Sequence, residues 1–471
     1  MTNWILTVAW TAMRFTRTLA RVAYCWRRLQ LMPRDDLTCA RNSWLPRLLL
    51  SAILAGNLSL GPAQAQTTAS APVHDSSRAV LYAAAGAELR QYDVDAEGAS
   101  LVKRSFVRLP ANVQYAWPHP SRKYLYVAWS DGGASTAAPG TAAVPPGKLH
   151  GVSAFRIDPR SGALQPIGQP VSLASRPIHL SADISGTHVL IAYNDPSGVT
   201  VHRLNADGSI GTLVNQPSML DTGIYAHQVR VDASNKTAIL VTRGNGPTKD
   251  KPEDHGALKV FSYQDGMLKN HASIAPNGGI DFQPRHLDFH PSQPWVFVSL
   301  ERQSKLQVYQ MAKDGSIGAI PLFTKDSLAD AHHKALRQNA GTIHMHPSGR
   351  FVYQANRSAI SDARGKPVDG GGENSIAVYA INPQTGEPTL IQSADTRGAE
   401  PRTFALDPSA RILVAANQTA IFAGSGTNAK VIPASLAVFS VQDDGKLKFV
   451  RKYDVDTSTG SMFWMGIVPL P

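Results

Sequence analysis

Four residues able to handle an anion and a proton sit at the starts or ends of apolar runs in this sequence. They are His227 in Tyr225-Ala226-His227-Gln228, Arg285 in Gln283-Pro284-Arg285-His286, Arg402 in Glu400-Pro401-Arg402-Thr403, and Glu301 in Ser299-Leu300-Glu301-Arg302. Asn356 with Arg357, and Asn417 with Gln418, end two further apolar runs. Guanidinium forks bind carboxylate or phosphate, and a glutamate or a neutral histidine moves protons. The set suits an anionic or oxygen-rich ligand. One such Arg or Glu alone reads equally well as an ion pair between neighbouring repeat units, so it is the grouping that points to a site. Other chemistries lack their residues. There is no Gly-rich phosphate loop, no nucleophile elbow and no basic run interleaved with aromatics, so nucleic acid is not an expected partner. His332-His333 has no spaced co-ligands, and neither a metal nor another cofactor is expected.

The elements that must position these residues are short strands in a repeat. A strand with an aromatic or His near its middle, then a turn ending in Gly, occurs seven times: before Gly98, Gly162, Gly208, Gly266, Gly315, Gly386 and Gly445. Val201-His202-Arg203-Leu204 and Val378-Tyr379-Ala380-Ile381 are two of these strands. Their alternation suits half-buried strands, and the Gly supplies the positive φ of a hairpin turn. Between these copies lies [His/Asp]-x-Ser followed by an apolar run, six times, beginning at His119, Asp183, Asp232, His290, His346 and Asp407. Six Ser residues in one register mark architecture, not a nucleophile, and the three His of this unit read as turn residues on the opposite face. His286 and His344 fall in strands, where core and pocket both remain open.

The missing seventh copy is accounted for by the ends. Val80-Leu81-Tyr82-Ala83 is a second strand without a first, and Met462 to Val468 is a first strand without a second. The expected fold class is therefore all-β: a seven-bladed β-propeller of four-stranded blades, the last blade closed by N- and C-terminal strands. Calling the strands of a blade A to D, the Ser turn joins A to B and the Gly turn joins C to D. Gly-, Pro- and Ala-rich insertions (130–148, 244–256, 360–372 and 419–433) all fall between B and C, on the face carrying the polar set. They read either as tolerated surface loops or as a functional rim.

Residues 1–65 read as a leader. Arg47 precedes the apolar run Leu48 to Ala55, and Ala63-Gln64-Ala65 is a small-x-small cleavage pattern. The run is too short to span a bilayer. A start at Met32 gives a signal peptide of ordinary length, cleavage leaves Gln66 first, and 66–77 is expected to be a flexible linker before the propeller at 78–471. The leader holds eight of the 46 basic and two of the 35 acidic residues, leaving 38 and 33 and a net charge of +5 instead of +11. It also holds both cysteines, Cys25 and Cys39. A mature chain of this kind, periplasmic or secreted, rests on its core and has no thiol chemistry.

Gln283-Pro284-Arg285-His286-Leu287-Asp288-Phe289-His290-Pro291 resembles the Gly-Pro-Arg-His…Phe-His-Pro segment of the lactonase seven-bladed propeller family, which includes propeller-type 6-phosphogluconolactonase and the carboxy-muconate lactonizing enzyme. The likeness continues in Leu300-Glu301-Arg302, Asn356-Arg357, Pro401-Arg402 and Phe463-Trp464. It implies a metal-independent lactonase with His227, Arg285, Glu301 and Arg357 as catalytic residues and a small lactone or carboxylate as substrate. In that reading the two arginines stabilise the carboxylate and the oxyanion, and His227 or Glu301 carries the proton. His286, Asn356, Arg402, Asn417 and Gln418 are expected to bind substrate. The alternatives from other classes are a non-catalytic ligand- or protein-binding propeller and a muconate-type isomerase sharing the same site.

Overall fold

Runs such as Val189-Leu190-Ile191-Ala192 offer water no polar side, and each lies as the second strand of a sheet with both faces covered. In the computed structural model the described residues are 78–133, 145–332, 335, 337–362, 367–424 and 430–471. The leader, its cleavage point and the 66–77 linker lie outside them, as do His333 and parts of three insertions (134–144, 363–366 and 425–429). Among the described residues there is no helix long and apolar enough to cross a membrane.

Seven four-stranded antiparallel sheets carry the seven Gly turns. Their first strands, in blade order 1 to 7, are Met465–Pro469, Asn112–Pro118, Pro177–Ala182, Ala226–Val231, Pro284–Phe289, Asn339–Met345 and Pro401–Leu406. These strands neighbour one another in that order, and Met465–Pro469 lies beside both Pro401–Leu406 and Asn112–Pro118. In blade 1, Met465–Pro469 pairs antiparallel with Ala79–Ala85, with Val80 opposite Val468. Apolar clusters fill the gaps between blades. Leu81, Ile412, Val414, Leu436 and Met465 join blades 7 and 1 as the other clusters join consecutive pairs. Each buried Val, Leu or Phe contributes about 1.5–3 kcal/mol, so the core lies between the sheets.

The two turn families tie each blade to the next. Tyr126 Oη donates to the Gly208 carbonyl at 3.2 Å, and Tyr353 Oη to Gly445 at 2.9 Å. On the same face, the His119 and His290 rings bond to the carbonyls of Gly186 and Gly349, the Ser-turn glycines of the following blades. A Cβ on Gly186 would stand 2.4 Å from the His119 ring, and its φ is +69°. An eighth, small sheet was not foreseen. Ile360–Ser361 and Pro367–Val368, from the blade 6 insertion, join Ile421–Ala423 and Lys430–Ile432 from that of blade 7 through a parallel Val368–Phe422 pairing.

Candidate active site

The side chains of the site are aimed by a slip in strand pairing that repeats from blade to blade. In six first strands the register shifts: between Val113 and Tyr115, Pro177 and His179, Ala226 and Gln228, Pro284 and His286, Ala340 and Ile343, and Pro401 and Thr403. His227, Arg285 and Arg402 are skipped residues of such bulges. A bulge leaves its residue unpaired and re-aims the side chain. The residues just before three of these strands, Tyr225, Gln283 and Glu400, have φ of +57°, +36° and +54°. Left-handed backbone is costly for non-glycine residues and collects at functional sites.

A chain of ion pairs then crosses four blades. Arg243 in blade 4 reaches Glu301 Oε2 at 2.9 Å, Arg357 in blade 6 also bonds Glu301, and Arg357 NH1 meets Glu400 Oε2 of blade 7 at 3.1 Å. Arg285 Nε stands 3.3 Å from Glu301 Oε1, outside hydrogen-bond alignment. Burial pushes the Glu301 carboxyl up, but Arg243, Arg357 and Arg285 together hold it well below the usual carboxylate range. It is an ionised anchor with its oxygens occupied.

The arginines divide into two kinds. Against burial, Glu301 raises Arg243, and Glu400 with Glu301 raises Arg357. Arg285 goes the other way: burial and the neighbouring Arg357 push it down to about 10, still cationic at neutral pH, and its NH1 has no partner. Burial, Arg285 and Arg357 also lower Arg402, whose Nε donates to the Phe463 carbonyl at 3.1 Å. Guanidinium stays protonated, so Arg285 and Arg402 are incompletely neutralised cations aimed at the centre.

His227 lies among them. Its ring is 5.1 Å from that of His286, which is 6.0 Å from His179. Burial, then Arg285 and Arg402, hold His227 well below 6.5; burial first and then neighbouring cations do the same for His286 and His179. All three are neutral at pH 7. His227 Nδ1, His286 Nδ1 and both His179 nitrogens have no hydrogen-bond partner. Among the described residues, no group of three or more His, Cys, Asp or Glu has the placement to hold a metal.

This neutrality sets a pH dependence. Unfolded, the imidazoles titrate near pH 6.5, so below that the unfolded state binds up to three more protons and stability falls as pH drops. Between pH 7 and pH 5.5 the expected loss is about 4 kcal/mol if all three contribute fully. Urea unfolding at the two pH values checks it, and equal midpoints contradict it.

The structure thus brings His227, Arg285, Glu301, Arg357, His286 and Arg402 together. Asn356 and Asn417 are different. Asn356 Nδ2 donates to the Ser327 carbonyl at 2.6 Å and its Oδ1 accepts from Ser327 Oγ, while Asn417 Nδ2 donates to the Thr396 carbonyl at 2.9 Å. Both are fully buried at strand ends. Gln418 is partly exposed, and its Oε1 has no partner. His344 pairs with Asp288 at 3.8 Å, deeper in the strand.

Sequence reasoning missed Arg243, Glu400, Tyr115, His179 and Arg176. A signal existed for two of them. Arg176-Pro177-Ile178-His179 is a third copy of Gln283-Pro284-Arg285-His286, with His179 and His286 both just after a bulge. Tyr115 packs on His179 with ring centroids 4.1 Å apart.

Comparison with known proteins places this geometry in context. The family model "Lactonase, 7-bladed beta-propeller" matches residues 79–422. The chain is 28% identical over 279 residues to the 6-phosphogluconolactonase of Bacillus subtilis, covering 57% of this chain and 70% of that protein. It is 23% identical over 363 residues to that of Serratia proteamaculans, covering 77% and 90%. Among solved structures, the Pseudomonas aeruginosa periplasmic gluconolactonase superposes with a TM-score of 0.60 at 21% identity, over 84% of this chain and all of that one. A putative 6-phosphogluconolactonase from Bacteroides uniformis gives 0.61 at 19%, over 83% and 100%. Such structural likeness carries the fold.

Proposed function

Because the chain belongs to the lactonase family of seven-bladed β-propellers, we propose that it hydrolyses a sugar-type lactone at the Arg285–His227–Arg402 centre, without a metal. The observation that carries this reading is a pair of incompletely neutralised guanidiniums converging on a neutral histidine. Water adds to the lactone carbonyl, and the oxyanion forms beside the free NH1 of Arg285, supported by Arg402. His227 takes the proton of the attacking water. Surrounded by cations, its protonated form is a strong acid and passes the proton to the ring oxygen as the C–O bond breaks. The product is a hydroxy acid, which ionises to the hydroxy-carboxylate and releases one proton to solvent. Arg357 and Glu301 act as positioning residues, the ion-pair chain holding Arg285 against the centre.

The seven sheets form one ring in this reading, with blade 1, shared between Ala79–Ala85 and Met465–Pro469, as its closure. Export is part of the proposal. Its support is the leader pattern of residues 47–65 and the likeness to a gluconolactonase described as periplasmic.

A pH-stat survey of sugar lactones with the chain from Gln66 tests the function. Proton release well above the buffer blank for at least one lactone is expected. Blank rates throughout overturn it, and lactone formation from a muconate without any lactone opening would replace it with the isomerase reading.

A further inference from the structure

Behind the bulge residues lies a second layer of side chains that the mechanism above does not use. Tyr115, His179, Gln228, His286 and Thr403 each stand where pairing with the second strand resumes after the slip. Each first strand runs toward its Ser turn, so this layer is deeper than His227, Arg285 and Arg402 as seen from the face of the B–C insertions. Two of its members serve the backbone. Leu287 N donates to Gln228 Oε1 at 2.6 Å, and Met465 N donates to Thr403 Oγ1 at 3.1 Å. The aromatic members pack on one another. Tyr115 lies 4.1 Å from the His179 ring and 6.4 Å, edge-on, from that of His286. His179 is 0% and His286 2% exposed.

Packing alone does not account for imidazole in these places. A phenyl ring fills the same space with no nitrogens to satisfy, whereas each unmatched buried polar atom costs about 1–3 kcal/mol. His286 Nδ1 and both His179 nitrogens are such atoms, and His227 Nδ1 is a fourth beside them. A neutral imidazole presents one N–H and one lone pair, so its partner must both accept and donate. Exposures this low leave no opening for a larger group, and water meets both demands. The ring nearest to His286 is His227 of the centre, at 5.1 Å, and His179 stands on its other side at 6.0 Å.

We propose that His286 holds the attacking water against His227, with His179 supporting it from behind, so that His286 binds water and not the lactone. The inference rests on the hydrolase reading and names the place of the nucleophile within it. The lactone enters from the face of the B–C insertions and meets Arg285 and Arg402, and the water attacks its carbonyl carbon from the buried side. The water oxygen forms the new C–O bond, and one of its protons goes to His227. The ring C–O bond then breaks, and the ring oxygen takes that proton from His227. The second hydrogen stays on the new carboxyl group until the acid ionises. His286 keeps its protonation state throughout.

The test compares wild type with His286→Phe and His286→Gln on whichever sugar lactone the wild type opens. His286→Phe is expected to lower kcat about 10²-fold with KM within about twofold, the cost of misplacing a reactant by about an ångström. His286→Gln, whose amide also donates and accepts, is expected to recover about tenfold of that loss. A raised KM at unchanged kcat would place His286 against the lactone and overturn the proposal. Unchanged kinetics, or equal losses in both variants, would make His286 a packing residue and overturn it too. If His286→Phe does not fold, His286→Ala in aqueous methanol decides. Truncation leaves a cavity that admits the larger nucleophile, so the ratio of methyl ester to free acid is expected to rise about fivefold or more over wild type. An unchanged ratio overturns the proposal, because a structural role lowers both products together. If wild type opens no lactone, the hydrolase reading fails by itself, and ordered solvent in a crystal structure decides the water subsite. A water within about 3.2 Å of a nitrogen of both His227 and His286 supports it, and the lack of one overturns it.

Discussion

Arg285→Met is expected to lower kcat/KM for lactone opening by 10²–10³-fold while leaving the protein folded, the loss typical of removing one oxyanion donor. Arg285 is among the largest fully buried side chains, sits on a bulge that aims it inward, and has a free NH1. Methionine keeps the unbranched stem without the charged fork. The fold survives because Glu301 keeps its two better aligned partners, Arg243 and Arg357. Arg285→Lys restores a charge but not the fork, so it is expected to recover only part of the rate. Steady-state kinetics beside a circular-dichroism spectrum checks both. A loss under tenfold would reassign Arg285 to the ion-pair scaffold.

The second large effect is on stability. Glu301→Gln removes the one carboxylate shared by Arg243, Arg357 and Arg285, leaving cations facing each other in a buried place. Breaking a buried pair from one side costs about 3–5 kcal/mol, and urea unfolding should show a loss of that order. The pair is distinguishable from a proton carrier by a double-mutant cycle. Arg243→Met with Glu301→Gln should cost clearly less than the two single losses together, because the second change removes a charge that the first left unpaired. A Glu301 acting as base predicts instead a stable, folded Glu301→Gln protein with a lost pH-dependent limb in its rate profile.

Much of the fold is legible in the sequence because the repeat states it twice, in Gly turns and in Ser turns, and each statement has a local cause in positive φ or in a turn-capping side chain. Asp183, for instance, accepts from the backbone of Thr187 and His188 within its own turn. The small sheet between the blade 6 and blade 7 insertions was not legible. Its parallel pairing joins residues more than fifty positions apart without hydrophobic alternation of useful length. The candidate site was legible as a set of residues but not as a division of labour. The arginine partners of Glu301 lie 56 and 58 residues away, beyond what local sequence shows. A strand-end amide such as Asn356 or Asn417 serves water, ligand or backbone equally well in sequence, and only the fold shows the carbonyls of Ser327 and Thr396 beside them. The bulge is the deeper omission. It shifts one residue out of the period-two pattern in six of the seven blades, which moves His227, Arg285 and Arg402 toward the centre where strict alternation would have placed their neighbours.

The most direct test of the central claim is a crystal structure with the ring-opened acid of whichever lactone is turned over. The carboxylate is predicted to lie within hydrogen-bond distance of Arg285 NH1, with the His227 ring beside it and Glu301 still held by Arg243 and Arg357. Density for the acid anywhere outside this centre, or a carboxylate bound there with Arg285 turned away, would contradict the assignment.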